Sequence, residues 1–204
     1  MTKHLKRVLA LCLLLTLPAL IQAAEPPDSN PGTPPPEALS ALIQAAEAGD
    51  LQARFELGNR YLNGNGVLQN STEALRWLTL AAEQGSRNAQ YNVAVIYLNG
   101  VGIEPDAAKA VEWFRKAADN GDPPSQFALA VLMFEGLPEL PQDIAQSYKW
   151  FVLAGASGDQ TAAANAVLVQ EMLAPDIVQT MQAEAQQWIE DFNARRATST
   201  QTAP

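Results

Sequence analysis

ARFELGNRYLNGNGVLQNSTEALRWLTLAAEQG, residues 53–85, is followed at 89–121 by AQYNVAVIYLNGVGIEPDAAKAVEWFRKAADNG. Both stretches carry Ala, a small residue, Tyr, paired glycines, Ala, Trp and a closing Ala-Ala-x-x-Gly at the same offsets. Recurrence at a fixed period of this length signals a stacked-repeat architecture. A third copy starts at Ser125 and runs through Leu129, Ala130, Met133, Gly136, Asp143, Ser147, Trp150 and Ala154 to Gly158. Gly-Asp or Gly-Ser recurs at Gly49, Gly85, Gly121 and Gly158, and Trp recurs at Trp77, Trp113 and Trp150. Aromatic residues recur at Phe55, Tyr91 and Phe127. The period is about 36 residues, one longer in the third copy.

Each unit reads as a helix pair. Spacings of three and four residues place Ala53, Leu57 and Tyr61 on one helix face. Gly58, Ala94 and Ala130 are small enough to let the paired helix come close. Asn63-Gly64, Asn99-Gly100 and Glu135-Gly136 end the first helices. Asn70, Asp106 and Asp143 stand where the second helices need N-caps. Glu73 is placed to complete a capping box with Asn70. Ala74, Trp77 and Ala81 then form the buried face of the second helix, and Gly85 ends it.

Several such pairs must stack to bury one apolar seam. The expected fold is therefore all-α, an α-solenoid of antiparallel helix pairs with about three repeats plus capping helices. The units are drawn at 53–88, 89–124 and 125–161. Residues 37–50 read as a half unit that supplies only a second helix. Residues 162–195 read as capping helices, first Ala162 to Met172, then Pro175 to about Arg195. In the last helix Ile177, Met181, Trp188, Ile189 and Phe192 are expected to form the apolar face. The repeat domain thus spans 37–195.

The flanks differ in kind. Residues 1–23 read as a secretory signal peptide: Lys3, Lys6 and Arg7, an apolar run from Val8 to Leu17, then Ala23 and Ala24 at a small-residue exit. Cleavage is expected near Ala23. The apolar run is short of the roughly 20 residues a membrane span needs. Lipidation at Cys12 is the rival reading, with Leu11 where a small residue is wanted; an uncleaved anchor is the other. Residues 24–36 read as a Pro-rich flexible linker, with six prolines between Glu25 and Pro36. Residues 196–204 read as a disordered tail without an apolar period.

Export narrows the chemistry. His4 and Cys12 are the only histidine and cysteine in the chain. If both leave with the signal, the exported chain has no thiolate or imidazole for a disulfide, a His/Cys zinc site or a Ser-His or Cys-His nucleophile. No catalytic residue, metal or cofactor is expected. The formal charge of −9 becomes −12 once the three basic residues are gone. That charge repels nucleic acid and anionic lipid. It serves solubility in one reading and a basic partner in another.

The pattern A-x-x-x-L-G-x-x-Y-x-x-G-x-G-V followed by A-x-x-W-x-x-x-A-A-x-x-G resembles the Sel-one-like repeat, a relative of the tetratricopeptide repeat. The third unit departs from it, with Pro138 at the place of Gly66, and an altered connecting loop is expected there. The resemblance implies a right-handed superhelix with a concave face and an adaptor or scaffold role. Family members act in protein complexes, bacterial signalling, exopolysaccharide export and at the host interface. Exported relatives with a disulfide in every repeat are a poor match for a chain with one cysteine. β-Lactamase-like chemistry would need Ser-x-x-Lys, and Ser147-Tyr148-Lys149 is one residue short.

By analogy with tetratricopeptide units, the concave face would carry Phe55, Asn59, Leu62 and Asn63, then Tyr91, Val95, Leu98 and Asn99, then Phe127, Val131, Phe134 and Glu135. This stripe suits an extended peptide or a partner helix. The competing reading packs Phe55, Tyr91 and Phe127 between units. Trp77, Trp113 and Trp150 read as core. Asn70-Ser71-Thr72 matches a glycosylation acceptor but is read as a helix cap. Glu104, Asp106, Glu135 and Glu139 offer carboxylates, without a spacing that singles out a pair. The favoured role is a periplasmic or secreted protein-interaction scaffold, monomeric, binding a protein or peptide and no nucleic acid, without an integral membrane domain. The alternative is a wall- or exopolysaccharide-associated glycan binder or weak lytic enzyme using Tyr61, Tyr91 and Tyr97.

Overall fold

The computed structural model describes residues 36–137 and 140–201. The signal, nearly all of the linker, Pro138, Glu139 and residues 202–204 lie outside the described residues. Within them the chain is all-helical: α1 Pro36–Glu47, α2 Leu51–Asn63, α3 Ser71–Glu83, α4 Arg87–Asn99, α5 Ala107–Asp119, α6 Pro123–Glu135, α7 Ile144–Ala156, α8 Gln160–Gln170 and α9 Pro175–Gln201. Two compact bodies divide between Trp113 and Phe114, inside α5.

In the body ending at Trp113, α2 pairs with α3, and α1 and α4 pack against that pair. The pairing depends on Gly58. A Cβ there would lie 2.6 Å from Leu78 Cγ and 3.0 Å from the Leu78 backbone nitrogen. Only a residue without a side chain lets the helices approach this closely. Leu62, Leu78, Ala81, Val93 and Ile96 then form one buried cluster, with Trp113 packed on its edge. Ala46, Ala53, Leu57 and Trp77 form a second, closed by Leu39, Leu42 and Ile43 of α1.

The helix starts are side-chain capped. The Asn70 side chain accepts from Glu73 N at 3.1 Å, Asp106 Oδ1 from Lys109 N at 2.9 Å and Asp143 Oδ1 from Gln146 N at 2.9 Å. The capping box expected at Asn70 does not form. Its backbone N–H donates to the Tyr61 carbonyl at 2.9 Å, and the Glu73 carboxylate pairs with Arg76 instead. The same tie recurs from Asp106 to Tyr97 and from Asp143 to Met133, both at 2.8 Å. A donor already spent on the preceding helix leaves the box nothing to accept.

First helices are capped by the residue after each landmark glycine. Asp50, Ser86, Asp122 and Asp159 each accept from the N–H three residues on. Gly85, at φ 93, turns the chain where a side chain would be strained. Because the cap immediately follows the glycine, the helix pairs start at residues 51, 87 and 123, two before the sequence-drawn units.

A recurring side-chain bond ties each unit to the one before it. Arg54 Nε donates to the Ala46 carbonyl at 3.0 Å, Gln90 Nε2 to Ala82 at 3.0 Å and Gln126 Nε2 to Ala118 at 3.2 Å. These carbonyls lie in the last turns of α1, α3 and α5, where intrahelical donors run out. The fourth link has Ala163 at the donor position, packed directly on Gly155.

In the body starting at Phe114, α7 packs against α6, α8 and α9. Ser147 Oγ donates to the Ala130 carbonyl at 2.7 Å, and Leu137 and Leu140 bond reciprocally across the altered loop. α9 buries Val178, Met181 and Ala185 and half-buries Trp188 and Phe192. Ile177, expected on that face, is exposed, and its neighbour Val178 is buried instead. Trp188 meets Trp150 edge-on at 6.5 Å and stacks on Phe192 at 5.0 Å. The Phe192 ring sits against Gly121, and Arg195 reaches the Asp119 carbonyl at 3.5 Å. The helix continues to Gln201 although a disordered tail was expected from residue 196. Within it Thr198 Oγ1 donates to the Arg195 carbonyl at 2.8 Å.

Crowding at the end of α5 raises the pKa of Asp119. Desolvation dominates, opposed by Arg115, by a hydrogen bond from the Trp188 indole, and by Arg195 and Lys149. Part of the carboxylate still faces solvent.

Two stability predictions follow from this packing. Trp77 is 4% exposed, so Trp77→Ala should cost about 3–5 kcal/mol in denaturant unfolding. An unchanged midpoint would remove Trp77 from the core. Asp119 binds its proton more tightly folded than unfolded, so ionisation lowers stability as pH rises from about 3.8 through the folded value. Asp119→Asn keeps an acceptor for Trp188 without the charge. It should raise the melting temperature at pH 7, and the gain should fade below about pH 4, where both side chains are neutral. A loss of equal size at every pH would contradict this.

Candidate functional site

The first-helix positions proposed for a concave face fall into two groups. In the body ending at Trp113 they lie on α2 and α4. Phe55 is half-buried and packs against the cluster of Leu62, Leu78 and Ile96. Leu62 belongs to that cluster at 7% exposure. Asn59 Oδ1 accepts from Asn92 Nδ2 at 2.9 Å, which joins α2 to α4 side by side. Tyr91, Val95 and Leu98 are half-buried, and Asn63 and Asn99 are exposed.

In the other body the group lies on α6 alone. Phe127 meets Phe151 of α7 edge-on at 5.7 Å. Val131 and Phe134 are 7% and 6% exposed, and Glu135 is exposed. The Phe134 carbonyl accepts Gln142 Nε2 at 2.5 Å, as the Leu62 carbonyl accepts Gln69 Nε2 at 2.8 Å.

These placements correct the expected stripe. Leu62 and Phe134 were placed on an open face and are core residues; Val131 is core as well. Their carbonyls are covered by the returning loop, whose glutamine bonds the first helix before the second begins. Of the expected residues Asn63, Asn99 and Glu135 are exposed, and Phe55, Asn59, Tyr91, Val95, Leu98 and Phe127 are half-buried. Asn92 was not among the expected residues, although it lies 33 residues after Asn59 and so nearly one period away.

Other groups offer little chemistry. A cleft of about 320 Å³ is lined by Arg115, Met133, Leu140, Pro141, Gln142, Asp143 and Gln146. Asp143, its one carboxylate among the described residues, is engaged as an N-cap. Asp106, offered as a catalytic carboxylate, is paired with Lys109 at 2.9 Å. Its pKa is lowered, first by the Lys109 backbone N–H and then by the Lys109 side chain. Among the described residues no three His, Cys, Asp or Glu side chains gather as metal ligands, and no helix is long and apolar enough to cross a membrane. The apolar side chains most open to solvent are Leu68 in the α2–α3 loop, Val167 on α8, Met172 after it, Leu51 at the start of α2 and Ile177 at the start of α9.

Comparison with solved structures agrees with the repeat reading. The chain is similar to a Sel1 repeat protein from Oxalobacter formigenes, at 35% identity and TM-score 0.58, over 64% of this chain and 97% of that one. It is also similar to c5321, a protective antigen of uropathogenic Escherichia coli strains with an SLR fold, at 29% identity and TM-score 0.60. That match covers 78% of this chain and 34% of the antigen, so the chain spans about a third of its length. No curated protein matches the chain. The family pattern described as the Sel1 repeat matches residues 51–86, 87–122 and 123–159, which are the three helix pairs defined by the caps and the unit-to-unit bonds. The chain belongs to the Sel1 repeat family.

Proposed function

We propose that this chain is an exported, non-catalytic scaffold that binds a protein or peptide partner along α2 and α4. Sel1 repeat proteins are generally protein-interaction scaffolds. The observation that carries the reading to this surface is the Asn59–Asn92 pair. It fixes two successive first helices side by side, with Leu98 half-exposed and the Asn63 and Asn99 amides open at their ends. An apolar side chain beside unspent amides suits a backbone that needs both contact area and hydrogen bonds.

Export rests on the basic start, short apolar run and small-residue exit of residues 1–24. The glycan-binding alternative asks for open aromatic platforms. Tyr61 packs against both core clusters and Tyr97 against one of them, and Lys109 lies over the Tyr97 ring at 5.3 Å.

A photo-crosslinker placed at residue 98 in growing cells, with the adduct identified by mass spectrometry, tests the surface. A single dominant protein adduct is expected, and Leu98→Glu should weaken binding of that protein at least tenfold, roughly 1.4 kcal/mol. Helicity and melting should not change. Phe134 is unsuited to the test because it is core. Binding that survives Leu98→Glu would place the site elsewhere. N-terminal sequencing of the protein from the cell envelope or medium should begin near Ala24; an intact Met1 start would remove cleavage from the proposal.

A further inference from the structure

Each complete helix pair uses the same contact. Position 58 of the first helix faces the second helix of its own unit: Gly58 meets Leu78. One period on, Ala94 is fully buried. In the third unit the Ala130 carbonyl accepts the Ser147 hydroxyl of α7. α8 is a first helix in the same register, and Val167 holds this position. It is 61% exposed, because α9, which follows in sequence, packs against α7 instead. α8 is a first helix whose second helix is missing.

α1 has the opposite deficiency. Its Ala46 carbonyl accepts from Arg54 just as Ala82 accepts from Gln90. α1 is therefore in second-helix register, with Ala38, Ala41 and Leu42 at the places of Ala74, Trp77 and Leu78. Those three are buried in α3, whereas Ala38 and Ala41 are exposed and Leu42 half-buried in α1.

We infer that α8 of one copy pairs with α1 of a second copy, completing a helix pair from two half units. The joint would continue the α2–α3 type of interface by one more unit. The sizes are complementary. Where complete units set a small first-helix residue against a second helix carrying Trp, the joint sets Val167 against Ala38 and Ala41. Charge is also absent. α8 carries no charged residue along its length, and α1 has none between Ala38 and Ala46, although the chain is strongly acidic. A solvent-facing helix ordinarily carries charge on its outer face. The two surfaces differ from one another, so the contact is heterologous and builds either an open array or a closed ring of copies. This departs from the monomer expected from sequence, and it leaves the α2–α4 surface unused.

Two single substitutions test it, both at exposed positions. Val167→Asp disables the α8 side and Ala41→Asp the α1 side. In sedimentation from about 10 μM to about 1 mM, a range suited to a one-helix-pair interface at the weak end of the scale, the chain as purified from cells should rise in mean mass above that of the monomer. Each variant alone should remain monomeric. Their equimolar mixture should form a heterodimer and stop there, because one live face of each remains. Helicity and melting are read alongside, and Val167→Ser or Ala38→Asp replaces a variant that loses helicity. A chain that stays monomeric throughout, a mixture that does not pair, or a single variant that still self-associates would each overturn the inference. The last outcome would show a symmetric contact instead.

Discussion

Everything in this fold depends on how closely the two helices of a unit can approach. At Gly58 the distance is too short for any side chain, and Ala94 and Ala130 hold the equivalent place fully buried. Small residues there let Leu78 and Trp77, and Phe151 and Trp150 in the third unit, be buried almost completely. Dense contact of this kind is the main return on fixing a 13-residue helix. The other devices preserve it. Caps satisfy the N–H groups at helix starts, and the 61-to-70 type of backbone bond sets where the second helix begins. The 54-to-46 type of side-chain bond uses an otherwise orphaned carbonyl to join one unit to the next. Each fixes a distance or register that the close approach requires.

The period, the helix pairing and the second-helix caps were legible because they rest on residue types with few substitutes. A glycine at positive φ, a Trp at one core position and an Asn or Asp at an N-cap repeat visibly. The less legible features are made by residues that are common on any surface. Gln90 and Gln126 look like solvent-facing amides and are buried, each serving one backbone carbonyl. Asp50 and Asp122 read as part of a Gly-Asp turn and are also the caps of the following helix. The Glu73 error has the same origin. Sequence spacing shows that a carboxylate can reach Asn70, but not that the amide has already been given to Tyr61.

The candidate surface was less legible than the fold for a geometric reason. The face lining a groove and the face entering the core are adjacent on a helix, about 100° apart for neighbouring residues. Leu62 and Asn63, or Phe134 and Glu135, differ by one position and have opposite fates. Analogy with tetratricopeptide units placed both of each pair in the groove. The loop after each first helix decides otherwise. Gln69 and Gln142 return to bond the Leu62 and Phe134 carbonyls, drawing loop over the last turn and closing it. In the second unit Pro105 occupies the glutamine's place and contributes no such donor. Leu98, at the equivalent position, remains half-exposed. Leu98 thus differs from Leu62 and Phe134 where the repeat departs from its own pattern.

The same logic applies at the ends of the stack. A repeat protein must stop its stack with a helix that has no next neighbour, and the usual solution is a polar outer face. α9 follows that solution: its outward side is Gln, Glu and Asp, and its apolar side lies on α7. α8 does not, since it carries no charge and exposes Val167. Had α9 packed on α8 as the second helix of a fourth unit, Val167 would have been covered and the stack closed. By turning to α7 it protects the third unit, placing Trp188 on Trp150 and Phe192 on Gly121. That choice leaves α8 as an uncapped first helix in the register every other unit completes. An uncapped repeat end is a surface with a defined complement, and the chain carries a helix of that register as α1.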